Sequence, residues 1–260
     1  MKRMLAVIVV TVVMECAGFP ANVCAQAEWP SKPVEEWTQA EAEELLSNSP
    51  WAKREEIRIS FDKRSQVAAG SYSGVSAAAA ARSRAEIGGG DVPVDFVFTL
   101  RLRSALPVRQ ALVRLKQLET NVDRLSEQEG AKFVAQINGM LECPACADNY
   151  VLTLSSKSTT SPGADAVFTI FKGGRLADLQ RYVYIANERG ERRSLVHFVP
   201  PRVPGDDATF FFPRLDENNA PLITPENRYL LINLSDNRVS TITNFKIEVS
   251  SLVVNGEVVF

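Results

Sequence analysis

The chain has 260 residues, of which 29 are lysine or arginine and 31 are aspartate or glutamate, so its formal net charge at pH 7 is −2. Weak negative charge gives no reason to expect nucleic acid binding, which normally requires a basic domain with clustered lysine and arginine. A single histidine excludes metal sites built from several histidine ligands, and the sequence contains no glycine-rich phosphate loop. We therefore predict no nucleic acid partner, no metal and no cofactor.

Residues 1–27 have the pattern of a secretory signal peptide. A positively charged start precedes an apolar run over residues 4–14, and Ala25-Gln26-Ala27 supplies small residues where signal peptidase cuts. As a helix the apolar run rises about 16 Å, roughly half of the hydrocarbon core, which makes an uncleaved anchor the less favoured alternative. We expect export to the periplasm or the extracellular space, Glu28 as the first mature residue, and no transmembrane segment after cleavage.

The first predicted elements of the mature chain are a short helix and a strand. Thr38-Gln39-Ala40-Glu41 has the capping-box pattern, in which the hydroxyl and the carboxylate each accept a backbone N–H of the other residue. The helix that follows should bury Ala42, Leu45 and Leu46. Residues 57–61 alternate between apolar and polar side chains, which indicates a strand.

A segment of different composition separates this strand from the next one. Residues 68–90 are rich in alanine, serine and glycine and contain one aromatic residue, so they predict a flexible loop that buries little surface. The strand after it has the clearest alternation in the chain. The apolar residues of that strand share one face: Val94, Phe96, Phe98, Leu100 and Leu102.

Two amphipathic helices are predicted over about residues 107–141. Pro107 suits a first turn, where its missing N–H is harmless, and Ser126-Glu127-Gln128-Glu129 is a second capping box. The apolar residues at helical spacing are Val108, Ala111, Leu112, Leu115, Leu118 and Val122 in the first helix and Phe133, Val134, Ile137, Met140 and Leu141 in the second. We expect an antiparallel helical hairpin that packs against the sheet.

From Tyr150 onward the pattern is that of β structure. Strands are predicted over 150–154, 167–171, 182–186, 194–199, 210–212, 229–234 and 245–249, and Asn255-Gly256 predicts a type I′ hairpin. The fold expected is α+β, with a mainly antiparallel sheet, the helical hairpin and a β-sandwich-like C-terminal half. An α+β region over 28–155 and a mostly β region over 156–260 should pack as one unit.

Three segments resemble an uncharacterised family of exported bacterial proteins. They are the stretch from Trp37-Thr38 to Ser49-Pro50-Trp51-Ala52, the run Ser104-Ala105-Leu106-Pro107-Val108-Arg109, and Val196-His197-Phe198-Val199-Pro200-Pro201. The similarity covers most of the mature chain. It implies an exported protein that folds as one integrated unit, and it carries no catalytic residue that could be transferred.

The recognisable chemical motif is Cys143-Pro144-Ala145-Cys146. Cys16 and Cys24 leave with the signal peptide, so these two thiols remain alone in an oxidising compartment and are predicted to form a disulfide. One interpretation is thiol–disulfide exchange. The favoured one is a structural staple, because the pair is predicted to end a helix, whose negative C-terminal end raises a thiolate pKa.

Other candidate residues are charged. Arg101, Arg103, Arg109 and Arg114 form a possible basic patch for an anionic partner, although such charges are often solvated or paired with neighbouring acids. His197 lies in an apolar strand and is interpreted as a structural or surface residue. The loop carboxylates leave open a hydrolase based on two acids; they are Asp206, Asp207, Asp216, Glu217 and Glu226.

No motif in the sequence carries an intact catalytic constellation. We therefore expect a non-enzymatic role, in which an exported protein binds an unknown protein or envelope partner. A thiol–disulfide oxidoreductase that uses Cys143 and Cys146 is the alternative, and a carboxylate-based hydrolase is a weaker one.

Overall fold

The computed structural model describes residues 32–61, 92–120, 124–234, 244–254 and 256–260. The predicted signal peptide at 1–27, the predicted loop at 68–90 and Asn255 of the predicted hairpin turn lie outside these ranges. The described residues belong to one unit, Lys32–Phe260. Their elements are antiparallel sheets and helices, so the predicted α+β fold class is confirmed.

The N-terminal helix has the predicted form. A 3-10 turn (Val34–Glu36) precedes α1 (Gln39–Ser47). Both bonds of the capping box are present, because the Glu41 N–H donates to Thr38 Oγ1 over 3.3 Å and the Thr38 N–H donates to Glu41 Oε2 over 2.7 Å. The three apolar residues predicted to be buried in α1 are buried, which gives the helix its inner face.

Sheet A has five antiparallel strands in the order β1–β2–β3–β7–β6. Their bounds are Ala52–Phe61 for β1, Val92–Leu102 for β2, Asn149–Ser158 for β3, His197–Val199 for β6 and Ala208–Pro213 for β7. Leu102 lies opposite Leu152, which lies opposite Phe210, so one face of three strands is a continuous apolar surface. All three side chains are fully buried. The alternation read from the sequence therefore specifies the core face of this sheet.

Sheet B has four antiparallel strands in the order β5–β4–β8–β9. Their bounds are Val183–Asn187 for β4, Arg192–Ser194 for β5, Tyr229–Leu234 for β8 and Phe245–Glu248 for β9. Burial alternates along β8 and β9, so one face of the sheet is buried. Strand β9 contacts β1 and strand β5 contacts β7, which joins the two sheets. A 3-10 turn (Val249–Leu252) leads to a hairpin of β10 (Val253–Val254) and β11 (Glu257–Val258).

The helical hairpin comprises α2 (Leu106–Glu119) and α3 (Glu127–Glu142). The apolar residues of the two helices are buried to different extents. Helix α2 packs on α1, and α3 packs on α2. Ile137 is the one buried residue of α3, and Val134 from its predicted apolar stripe is 55% exposed. Helix α3 is therefore an outer element with little buried surface.

The β pattern predicted after residue 150 is wrong at two places. Residues 167–171, predicted as a strand, belong to α5 (Ala166–Phe171): Asp165 caps its first turn, and the mostly apolar run has no period of two. The strand predicted over 194–199 is divided between β5 and β6, which belong to different sheets. Two one-turn helices, α4 (Ala145–Asp148) and α6 (Leu176–Leu179), complete the described elements.

The boundary predicted between the α+β region and the mostly β region, at residues 155 and 156, falls within strand β3. Sheet A takes three of its strands from before that point or across it, and two from after it. The pairing of β3 with β7 brings the end of β7 beside the start of β3, which positions the site described next.

Candidate functional site

Four arginines form a chain of neighbouring charges from the end of β2 to the start of β3: Arg101 and Arg103 share Asp207, Arg103 is near Arg109, and Arg109 is near Arg214. We name Arg101, Arg103, Arg109 and Arg214 the arginine cluster. Arg101 lies near the end of β2 on the face opposite the apolar core, and it is paired in register with Thr153. Arg103 lies in the turn after the strand, and Arg109 lies in the first turns of α2. Arg214 follows β7, and its main-chain N–H donates to Asp148 O, next to the start of β3.

Arg101 is held by three neighbouring groups. Its Nε donates to Leu46 O over 2.8 Å, and its Nη1 donates to Ser155 Oγ over 3.1 Å. The same Nη1 lies 3.5 Å from Asp207 Oδ2. Burial lowers the pKa of Arg101 and raises the pKa of Asp207, while the attraction between their charges opposes both shifts. Arg101 is therefore a fixed, partly neutralised member of the cluster.

Arg103 differs from Arg101 because its guanidinium has no hydrogen bond or ion pair within the part of the chain described above. Burial lowers the pKa of Arg103, and the charge of Asp207 partly opposes this shift. Arg103 also lies within electrostatic range of Arg109. A guanidinium has five N–H donors, so Arg103 offers hydrogen-bonding capacity at this position.

Arg109 links the cluster to the end of α3. Its Nη1 donates to Leu141 O and, over 3.2 Å, to Glu142 O, so a cation caps the negative C-terminal end of that helix. Its Nε is buried and has no hydrogen-bond acceptor among the described residues. Burial lowers the pKa of Arg109, and repulsion from Arg103 lowers it further. The two charges are thus close enough to destabilise each other.

Arg214 completes the cluster and was not among the predicted site residues. Its Nε donates to Cys146 O over 3.0 Å, and its Nη2 donates to the Phe260 main-chain oxygen over 2.6 Å. The guanidinium carbon lies 5.2 Å from the ring centre of Tyr150. Burial lowers the pKa of Arg214, with a smaller contribution of the same sign from Arg109. In the sequence, Arg214 is simply an arginine after a Phe-rich strand. The pairing of β3 with β7 brings it to the cluster, and no local pattern indicates that pairing.

Arg114, the fourth arginine of the predicted patch, lies elsewhere. It is five residues beyond Arg109 on α2, about 140° around the helix axis. Its Nε donates to Trp37 O over 2.7 Å, which attaches the segment before α1 to α2. The structure therefore brings three of the four predicted arginines together, adds Arg214, and gives Arg114 a separate contact.

The cysteine pair lies directly beside the arginine cluster. Cys143 and Cys146 form a disulfide with a Cα–Cα distance of 5.3 Å. Cys143 is the residue after the last turn of α3, with a φ of 42°, and it is half-buried. Cys146 lies in α4 and is 5% exposed, and its Sγ is 4.0 Å from Arg103 O. Arg109 and Arg214 bind carbonyl oxygens on either side of this disulfide.

The loop carboxylates of the weaker hydrolase hypothesis serve local structure. Asp206 accepts the N–H groups of two preceding loop residues, and Asp216 accepts those of Asn218 and Ala220. Glu226 accepts the Thr224 hydroxyl. Asp207 and Asp216 also face arginines: Asp207 faces Arg101 within the cluster, and Asp216 Oδ2 lies 3.9 Å from Arg193 Nη2.

His197 is exposed on β6, and its ring centre lies 4.9 Å from that of Phe211. Within the described ranges, no group of three or more histidine, cysteine, aspartate or glutamate side chains is arranged to hold a metal ion. In the same ranges, the helices are too short or too polar to cross a membrane.

Comparison with known proteins gives no match: no protein-family model, no curated protein and no solved structure is significantly similar to the chain. The function proposed below therefore rests on the site itself.

Proposed function

We propose that this protein is an exported binding protein that holds an anionic segment of an envelope or secreted partner at the arginine cluster. The observation that carries the proposal is Arg103, whose half-buried guanidinium has no hydrogen-bonded partner among the described residues. A carboxylate from a partner supplies two acceptors in the geometry that a guanidinium prefers. It would also reduce the repulsion between Arg103 and Arg109.

Local charge supports an anionic partner although the chain as a whole is weakly acidic. The described contacts give the four arginines of the cluster one carboxylate ion pair, that of Asp207 with Arg101. The excess positive charge acts over short range, because salt screens exposed charges beyond about 8 Å at physiological ionic strength. We therefore expect binding that depends on salt and on particular arginines, rather than on net charge.

The binding test uses a fluorescent oligoglutamate peptide as the anionic probe and fluorescence anisotropy as the readout. Arg103→Gln should weaken binding about fivefold, which corresponds to about 1 kcal/mol. Arg109→Gln should weaken it by a similar factor. Raising the salt concentration should weaken binding to the unmodified chain and reduce the difference between the chain and its variants.

Arg175→Gln is the matched control, because Arg175 is 81% exposed and pairs with Asp178 within the same helical turn. It removes the same charge without touching the cluster and should leave the affinity unchanged. An oligolysine peptide should not bind. Equal losses in Arg103→Gln and Arg175→Gln would show that overall charge, and not the arginine cluster, determines binding.

Export is the second part of the proposal, and it rests on the leader pattern at residues 1–27. We expect N-terminal sequencing of the protein isolated from the periplasm or culture medium to begin at Glu28 or within a few residues of it. Recovery of the chain from the cytoplasm with residues 1–27 attached would contradict export.

A further inference from the structure

The two sulfurs of the Cys143–Cys146 disulfide lie in unlike surroundings. Cys143 is half-buried at the end of α3, whereas Cys146 is 5% exposed. An incoming thiolate must approach a sulfur along the S–S axis, and access decides which sulfur it attacks. Cys143 is therefore the more accessible half of the disulfide, and Cys146 is the inner one.

The charges around the pair make a thiolate at Cys143 more stable than it would be at the end of a helix without them. The C-terminal end of α3 carries partial negative charge, which disfavours a thiolate. Arg109 offsets this charge by binding the last carbonyl oxygens of the helix, and Arg214 binds Cys146 O on the other side. Neighbouring arginine is one of the conditions that activate cysteine thiols.

The acids nearest along the chain are Glu142 and Asp148, and both are exposed to solvent. From other elements, Arg109 on α2 binds Glu142 O and Arg214 after β7 binds Cys146 O, and the Arg103 main-chain oxygen lies 4.0 Å from Cys146 Sγ. Solvent screens the exposed carboxylates more than the partly buried guanidinium groups. Two guanidinium groups therefore lie beside the disulfide, and the nearest acids along the chain are exposed.

We propose that the Cys143–Cys146 disulfide is a thiol–disulfide exchange site, and that its substrate is an anionic thiol held by the arginine cluster. The preference for an anion rests on the proposed function, whereas the exchange itself rests on the exposure and surroundings of the two sulfurs. This activity goes beyond partner binding and replaces the interpretation of the pair as a passive staple.

The reaction balances in two steps. The thiolate of the substrate attacks Cys143 Sγ, a mixed disulfide forms, and the Cys143–Cys146 bond breaks to leave Cys146 as a thiolate that takes a proton from solvent. A second substrate thiolate attacks the substrate sulfur of the mixed disulfide and releases Cys143. Two electrons pass from two substrate thiols to the protein, and the products are the substrate disulfide and a protein dithiol. A low-molecular-weight disulfide reverses the sequence.

Arg103 O gives the inner cysteine a role in this reaction. The oxidised pair has no S–H group, but after reduction the Cys146 thiol can donate to Arg103 O, which lies 4.0 Å from its sulfur. This contact favours protonated Cys146, so that Cys143 holds the thiolate of the reduced pair.

The first experiment measures reduction of the intact, folded protein by 3-mercaptopropionate, which is anionic, and by 2-mercaptoethanol, which is neutral. Each rate is divided by the rate of the same thiol with bis(2-hydroxyethyl) disulfide, which removes the intrinsic difference in nucleophilicity. We expect the normalised rate to be about fivefold higher for the anionic thiol at low salt. Arg103→Gln should abolish this preference, while Arg175→Gln should keep it.

The outcomes separate the two proposals. If neither thiol reduces the disulfide without denaturant, exchange is overturned, whatever the oligoglutamate peptide shows. If both thiols reduce it at the same normalised rate, exchange stands and an anionic substrate is overturned. Loss of peptide binding in Arg103→Gln with no change in the thiol preference would place the substrate outside the cluster and overturn the substrate assignment.

The second experiment measures the Cys143 thiolate by its ultraviolet absorbance in Cys146→Ser, as a function of pH. The Cys143 pKa should lie below the free value of about 8.5, and Arg109→Gln in the same background should raise it. Arg109→Lys keeps a positive charge and should give an intermediate value, which controls for a folding defect in Arg109→Gln. A Cys143 pKa at or above the free value, unchanged in both variants, would overturn the proposal.

Discussion

At the scale of single residues, the arginines of this protein have the same charge and different functions. Arg114 and Arg214 donate to main-chain oxygens and attach one segment to another. Arg101 is neutralised in part by Asp207. The guanidinium N–H groups of Arg103 have no acceptor among the described residues. The sequence pattern places Arg101, Arg103 and Arg114 in one basic patch and leaves Arg214 out, because the acceptors that distinguish them come from distant parts of the chain.

Glu41 provides a prediction about pH at the residue scale. Its pKa is lowered to about 2, first by the hydrogen bond from Lys32 and then by those from the N–H and hydroxyl of Thr38. A carboxylate with a lowered folded-state pKa stabilises the fold above its unfolded pKa, and that contribution is lost as the pH falls from about 4.5 toward 2. A Glu41 side-chain titration by NMR should have its midpoint near 2.

Lys32→Met should raise that midpoint, because the largest cause of the shift is removed. Lys157→Met is the control, since Lys157 is an exposed lysine of β3 with no contact to Glu41 among those described. If the midpoint of Glu41 is the same in Lys32→Met as in the unmodified chain, the ion pair that joins residue 32 to α1 is not formed in solution.

At the scale of elements, polar side chains cap the first turn of the apolar run that forms α5: Asp165 accepts the Phe168 N–H and Ser156 accepts the Val167 N–H. Asp165 Oδ1 accepts the Phe168 N–H over 3.0 Å and the Ser156 hydroxyl over 2.7 Å, and Oδ2 accepts the Gly205 N–H over 2.8 Å. The carboxylate therefore caps α5 and attaches it both to β3 and to the loop before β7. The apolar run itself has no periodicity from which this could be read.

Asp165→Ala should destabilise the protein by about 2–3 kcal/mol, because it removes the helix cap and leaves buried donors without an acceptor. Asp165→Asn should cost less, since its side-chain oxygen still accepts the Phe168 N–H. The measurement is urea unfolding, where the midpoint should move while the slope stays constant.

Asp178→Ala, in the neighbouring helix α6, is the matched control. It removes an aspartate from an exposed ion pair with Arg175, and such pairs contribute about 0–1 kcal/mol. Unfolding midpoints that agree between Asp165→Ala and Asp178→Ala would mean that Asp165 does not fix the position of α5.

The sequence predicts those elements whose pattern lies within a single segment, and it does not predict those that depend on contacts between distant segments. The two capping boxes and the alternation in β1, β2 and β3 are local, and the helices and strands they predict are present. Helix α5 is capped by Asp165 and by Ser156 from another element, and the division of 194–199 between two sheets depends on which strand edge each part meets. In the candidate site, Arg214 is absent from the sequence prediction because strand pairing alone places it beside the cysteines.

At the scale of the whole molecule, the C-terminal segment joins parts of the chain that are far apart in sequence. Trp51 Nε1 donates to Val259 O over 2.8 Å, so the segment attaches to the start of β1. The Phe260 ring lies 4.9 Å from that of Tyr150 at the start of β3, with an edge-on geometry. Arg214 donates to the Phe260 main-chain oxygen and stacks over its ring. The segment thus packs against the same part of the fold that supports the arginine cluster.

Phe260→Ala should consequently lower the free energy of unfolding by about 1–2 kcal/mol, because it removes an aromatic pair and exposes one side of Tyr150. Val254→Ala is the control from the same C-terminal hairpin, where Val254 is 43% exposed and its loss should cost less than about 0.5 kcal/mol. Both values are measured by urea unfolding, together with oligoglutamate binding. Since Phe260→Ala keeps the main-chain oxygen that holds Arg214, peptide affinity should change less than in Arg103→Gln. A Phe260→Ala variant as stable as Val254→Ala would show that the segment does not join β1 to β3 in solution.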